Sequence, residues 1–241
     1  MVEYYFDNFF LNHILELLAS LAGSYYLLKT VEINKLIRIF VYFLWVTFFI
    51  DVLGFYSVYA YFEDYKLFSS IKNTPFERNV WLFNSFKIIS FSVYSIIFIS
   101  RLKKSILRNT LLGLLAFYTG SAIINLVVSE VFFENVSSYT YIFGTILIVL
   151  CIISWYFQLL TSDDIINFYR NIFFYISVGA LIWHLIVTPI FIFNKYFATV
   201  NPAFVELHNI ILKLANIIMY LTFSMGFWFC SSRSSKLKPK G

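Results

Sequence analysis

The chain has 241 residues with a formal net charge of +5; 60% of them are hydrophobic and only 13% charged. A soluble globule of this size carries roughly 25% charged residues to cover its surface, so the composition excludes an ordinary water-soluble domain. The apolar residues also fall in long uninterrupted blocks, which is what hydrocarbon demands of a chain that must satisfy its own backbone.

Each block is tested against the roughly 20 apolar residues that a helix needs to cross about 30 Å of hydrocarbon. The first runs over about 9–28 and is interrupted by Glu16. The segment before it, MVEYYFDNFF, holds Glu3 and Asp7 and no basic residue, so the block is expected to be a retained helix and not a cleaved leader. Next come 35–55, containing Asp51, and 80–100, containing Lys87. The fourth block, 109–131, is free of charge over most of its length, and the fifth covers 138–160. The sixth, 168–193, contains His184 and Pro189, and the last, 203–230, carries Glu206, His208 and Lys213 near its start. The sequence therefore predicts an all-α polytopic membrane protein, a seven-helix bundle forming one transmembrane domain.

Charge sets the orientation. With the N-terminus outside, the inner side holds 12 of the 18 basic residues, from Lys29, Lys35 and Arg38 through the run RLKKSILR (101–108) and Arg170 to Arg233, Lys236, Lys238 and Lys240. Only Glu32, Asp163 and Asp164 oppose them there. By the positive-inside rule the C-terminus is cytoplasmic, and the expected location is a bacterial inner membrane. The net charge is thereby explained without nucleic acid. The longest connection, from about 56 to 79, is expected on the outer side as an interfacial helix or cap, with Asn73-Thr74-Pro75 as a turn.

Ionisable groups in hydrocarbon are expensive and are candidate functional residues for that reason. In the last block Glu206, Asn209, Lys213 and Asn216 are spaced by three, four and three, which places them on one helix face, with His208 beside them. The first block repeats this pattern with Asn12, Glu16 and Ser20, and His13 adjoins it. Asn84 and Lys87 lie three apart in the third block; Asp51 and His184 complete the set. All these embedded groups fall in the outer half of the spans. That asymmetry predicts a polar cavity facing outward, used for binding a small molecule.

Other chemistries find little support. Cys151 and Cys230 fall in apolar segments and give neither a disulfide framework nor a Cys-rich metal site. A metal-dependent hydrolase would have to draw His13, His184 and His208 from three helices, since no HExxH or HxxxH occurs. Seven helices with a lysine in the last resemble the outline of retinal-binding proteins. Yet Asn209 stands four before Lys213 where microbial rhodopsins usually carry Asp, and WLFNSFKIISFSVY lacks their acidic and arginine pattern. No cofactor is expected. The leading expectation is a receptor-like sensor, not an enzyme, that signals through a separate cytoplasmic or membrane partner docked on the basic inner loops. A small-molecule or ion transporter and the metal hydrolase are the alternatives.

Overall fold

The computed structural model describes residues 1–197 and 202–234. Lys236, Lys238 and Lys240 of the basic tail lie outside the described residues. Among the described residues the regular elements are all helical: α1 (Val2–Tyr5), α2 (Leu11–Lys29), α3 (Lys35–Gly54), α4 (Tyr56–Phe62), α5 (Val80–Arg101), α6 (Ile106–Val128), α7 (Val131–Glu134), α8 (Ser138–Leu160), α9 (Ile172–Phe197) and α10 (Pro202–Ser234). A π-helical turn, Phe6–Phe10, joins α1 to α2 without a break, and short 3-10 turns occupy the loops.

Helix starts follow the local sequence. Asn34 accepts from the Leu36 amide ahead of α3, Ser105 from the Arg108 amide ahead of α6, and Ser137 from the Thr140 amide ahead of α8. Each side-chain oxygen satisfies one of the amides that a helix start leaves without a partner.

Six helices are long and apolar enough to cross a membrane: Lys35–Phe62, Val80–Arg101, Ile106–Val128, Ser138–Leu160, Ile172–Ile192 and Phe204–Ser231. The protein is a helical bundle built for a bilayer. Helix α2 falls outside that set because Asn12, His13 and Glu16 crowd its first turns, yet it is not peripheral. Contacts run α2 to α3, α3 to α5, α5 to α8, α8 to α9, α9 to α10 and α10 back to α2, closing a ring. Helix α6 packs outside this ring, against α5 and α8.

Glycines permit close approaches between the helices. A Cβ on Gly144 of α8 would sit 2.5 Å from ring carbons of Phe91 on α5, and one on Gly179 of α9 would sit 2.7 Å from the Phe223 ring on α10. The outer surface is apolar, unlike that of a soluble protein. Phe49, Phe117, Ile124, Val127 and Phe157 are exposed on the outside, while Glu16, Ser20, Ser95, Ser177 and His184 are buried within. A hydrocarbon solvent rewards that arrangement and water would not.

The bundle has two unlike ends. Lys29, Lys35, Arg38, Arg101, Lys103, Lys104, Arg108 and Arg170 gather where α2, α5 and α8 finish and α3, α6 and α9 begin. Arg101 lies over the Phe173 ring at 4.7 Å from its centroid, and Gln158 ties the Arg101 carbonyl to the Lys103 amide. The opposite, N-terminal end carries α1, α4, α7 and the 63–79 loop. That loop is ordered by its own hydrogen bonds. Tyr56 donates to the carbonyls of Phe76 and Arg78, Asn79 to the carbonyl of Gly54, and Glu77 accepts from the Tyr65 hydroxyl and the Asn73 amide. Asp64, Tyr65 and Asn73 take positive φ values of 50°, 59° and 60°, which make its reversals.

Candidate functional site

Five ring helices deliver ionisable or polar groups to one level near the N-terminal end. Glu16 comes from α2, Asp51 from α3, Lys87 from α5, His184 from α9, and Asn216 with Tyr220 from α10. Lys87 lies seven residues past the start of α5, about 10 Å along the axis. Glu16 is 4% exposed; its Oε1 accepts from the Tyr220 hydroxyl at 3.0 Å, and its Oε2 makes no hydrogen bond. The charges acting on Glu16 are those of Asp51 and Lys87, and Lys87 in turn feels both carboxylates. The Lys87 ammonium sits 4.8 Å from the centroid of the Trp183 ring and 5.8 Å from that of Tyr141, so aromatic faces supplement the carboxylates. With all three groups ionised, two carboxylates and one ammonium leave one negative charge in excess.

Two histidines flank the triad. His184 is 2% exposed and packed against the rings of Phe91, Trp183 and Tyr94, and neither of its nitrogens has a hydrogen-bond partner among the described residues. It faces a cavity of about 40 Å³ whose polar lining also includes Thr47, Lys87, Ser90, Tyr94 and Tyr220. One water needs roughly 10–15 Å³ by this measure and two to four polar partners, so the cavity suits water or a small ion. His13 bonds through Nδ1 to the Tyr5 hydroxyl at 3.0 Å, while its Nε2 is buried without a partner and Asp51 lies close enough to act on it. A separate chain of amides closes the N-terminal side: the Trp183 indole donates to Asn216 Oδ1 and Asn216 donates to Asn12 Oδ1 at 3.2 Å.

The structure thus brings together Asn12, His13, Glu16, Asp51, Lys87, His184 and Asn216, and separates the other five candidates. Asn84 points the other way. Its Nδ2 reaches the carbonyls of Val131, Phe132 and Asn135 and its Oδ1 accepts from the Ser137 amide, so it staples the α7 loop and both its N–H donors are taken. Lys213 donates to the carbonyl of Asp7 inside the π-helical turn and pairs with no carboxylate among the described residues. Glu206 and Asn209 are exposed, and His208 is half-buried beside Phe191 and Phe204. The first fully buried residue of α10 is Ala215, 13 residues and about 20 Å past its start, so these early positions precede the packed part of the bundle. The shared helix face was real, but only its last member reaches the cluster.

Sequence reasoning missed Tyr220, although it continues that same stripe one turn beyond Asn216. It missed Trp183 as well, which touches both Lys87 and Asn216. Thr188, beside Pro189, shares a 2.6 Å hydrogen bond with Thr145 of α8. The described residues hold no group of three His, Cys, Asp or Glu placed to share a metal ion, and His208 stands apart from His13 and His184.

Toward the basic end the cluster gives way to fully buried apolar side chains: Phe40 and Val41 from α3, Ile97 and Phe98 from α5, Ile152 from α8, Ile176 from α9 and Phe227 from α10. A wider cavity, about 580 Å³, is elsewhere. It is a lipid-side groove between α5 and α6 walled by Ile88, Ile123, Leu126 and Phe132, with Glu130 as its sole charged neighbour. Comparison with known protein families, with curated proteins and with solved structures finds no match to this chain.

Proposed function

We propose that the chain is a seven-span membrane sensor of receptor type, with its N-terminus outside and its basic end in the cytoplasm of a bacterial cell. Helix α2 supports the seventh span, because it is a ring member with helices on both sides. Basic residues concentrated at one end support the orientation.

The observation that carries the sensor reading is the contrast within the ring. A cluster of two acidic side chains, a lysine and two histidines lies near one end, and a layer of mostly apolar buried side chains separates it from the other. Such a cluster responds to a proton, a small ion or a ligand by changing the attraction among α2, α3, α5, α9 and α10. A carrier would need polar groups through that layer to pass its cargo. The response is read at the basic end, where Lys29, Arg38 and the 101–108 loop offer a docking face for a separate partner.

The test uses purified protein in liposomes with an internal pH dye, and spin labels at Lys29 and Lys104. The sensor reading expects no proton or monovalent-ion flux above protein-free liposomes, and a changed label-to-label distance when Asp51→Asn alters the cluster. Flux that Asp51→Asn abolishes would transfer the protein to the carriers. Unchanged distances with no flux would reduce the cluster to structural glue.

A further inference from the structure

A second cavity of about 450 Å³ lies at the N-terminal end, away from the buried cluster, between α1, α4 and the 63–79 loop. That volume falls within the range of small-molecule pockets, about 300–1,000 Å³. Its walls are aromatic: Tyr4 from α1, Tyr61 and Phe62 from α4, and Tyr65 from the loop. Tyr4 and Phe62 are in ring contact at 5.4 Å, so the N-terminal helix forms one side of the cleft. Glu77 and Arg78 are its only charged lining residues.

These two charges are not equally available. Each Glu77 oxygen already accepts a hydrogen bond, one from the Tyr65 hydroxyl and the other from the Asn73 amide. Lys72, over the Tyr65 ring at 5.5 Å, further offsets the Glu77 charge. Arg78 is held by its backbone instead. Its carbonyl accepts from Tyr56, the preceding Phe76 carbonyl accepts from the same hydroxyl, and the adjacent Asn79 side chain is fastened to Gly54. The hydrogen bonds of the loop therefore fix where Arg78 stands and, among the described residues, leave its guanidinium uncommitted. Glu63, Asp64 and Lys66 belong to the same loop but do not line the cleft.

We propose that this cleft binds a small organic anion with an aromatic or apolar body, its carboxylate on the Arg78 guanidinium and its body among Tyr4, Tyr61, Phe62 and Tyr65. The planar guanidinium matches a carboxylate with two parallel hydrogen bonds, and ring edges and faces supply contact area for the body. An organic cation is disfavoured, because the one carboxylate in the cleft already has two donors. The inference stands apart from the sensor reading, since binding is read directly on purified protein.

The experiment measures binding of phenylacetate, phenylacetamide and phenethylamine to the full chain in zwitterionic nanodiscs by saturation-transfer NMR. Phenylacetate is expected to bind saturably and about tenfold more tightly than its amide or the amine, the size of one charge-assisted pair. Arg78→Gln should erase that preference, Arg78→Lys should keep part of it, and Tyr61→Ala should weaken all binding while keeping the preference. Arg78 is exposed, so a melting curve that is unchanged in Arg78→Gln shows that the fold is kept. Equal binding of the three probes, preference for the amine, an Arg78→Gln variant that behaves as wild type, or no saturable binding by any probe would each overturn the proposal.

Discussion

Tyr220 donates its hydroxyl to Glu16 Oε1 across 3.0 Å, a buried bond that ties α10 to α2. It closes the ring at the level where Asp51 and Lys87 also arrive. Removing the hydroxyl leaves a buried carboxylate unsatisfied, so Tyr220→Phe should lower stability by about 1–3 kcal/mol. Thermal unfolding in detergent, followed by tryptophan fluorescence, measures it. A neutral Tyr220→Phe would mean that α2 and α10 meet differently.

The three charges of the cluster make a sharper prediction than any pair. Lys87→Met leaves two carboxylates facing each other and should be the most damaging single change, costing about 3–5 kcal/mol. Glu16→Gln or Asp51→Asn alone leaves one carboxylate to balance Lys87 and should be mild. Combining them strands the ammonium, so the double variant should fall well below the sum of the singles. Additive effects in this cycle would show that the carboxylates do not share the lysine.

Glycine positions test the packing independently of charge. An alanine at Gly144 would press into Phe91, which is fully buried and cannot swing away, so Gly144→Ala should destabilise by about 1–3 kcal/mol. Gly113 on the outer face of α6 has nothing within 4 Å of a built Cβ. Gly113→Ala should be neutral or gain up to about 1 kcal/mol of helix propensity. Matching effects at the two sites would contradict the ring arrangement.

Long apolar runs made the helices legible, because hydrocarbon tolerates no other use of such segments, and the same runs made the embedded charges conspicuous. Helix rotation was not legible. A spacing of three and four says that Glu206, Asn209, Lys213 and Asn216 share a face, but not how far along that face the neighbours extend. Asn84 and Lys87, three residues apart, look like partners in sequence. In the structure they serve different neighbours: Asn84 the α7 loop and Lys87 the carboxylates. The closure of the ring by α2 depends on which helices meet across distant parts of the chain, information that no local pattern carries. Ser137, in the polar stretch before α8 that reads as an open loop, is 1% exposed and caps α8.

The N-terminal loop should show a defined pH window. Accepting from Tyr65, and secondarily from the Asn73 amide, holds the Glu77 carboxyl below the usual carboxylate range, and the same bond pushes the Tyr65 phenol up to about 12. A depressed carboxyl contributes order that is complete above its unfolded pKa and is lost as pH falls through the folded value. A raised phenol contributes order that is complete below its unfolded pKa and is lost as pH rises through the folded value. The loop should therefore be most rigid between roughly pH 5 and 9. A nitroxide at exposed Ser70 reports it, with mobility rising on both sides of that window. Glu77→Gln should remove the acid limb and Tyr65→Phe should weaken the alkaline one. A flat profile in the unmodified loop would break the assignment.

Topology decides whether the two sites face the same compartment. Ser69 and Ser105 are both exposed, at opposite ends of the bundle. Cys151 and Cys230 are first replaced by Ser, then single cysteines are introduced at Ser69 and at Ser105 and treated in intact cells with a membrane-impermeant thiol reagent. Residue 69 should react from outside and residue 105 only after permeabilisation, because the loop 101–108 holds Arg101, Lys103, Lys104 and Arg108 with no acid among them. The odd number of spans is then checked at the other terminus: a cysteine at Glu3 should share the behaviour of residue 69. If residue 3 reacted only after permeabilisation while 69 reacted from outside, α2 and α3 could not both cross, and the acid–base cluster would lose its transmembrane setting. Reaction of residue 105 from outside would invert the whole bundle, placing the Arg78 cleft in the cytoplasm and requiring a cytoplasmic ligand for it.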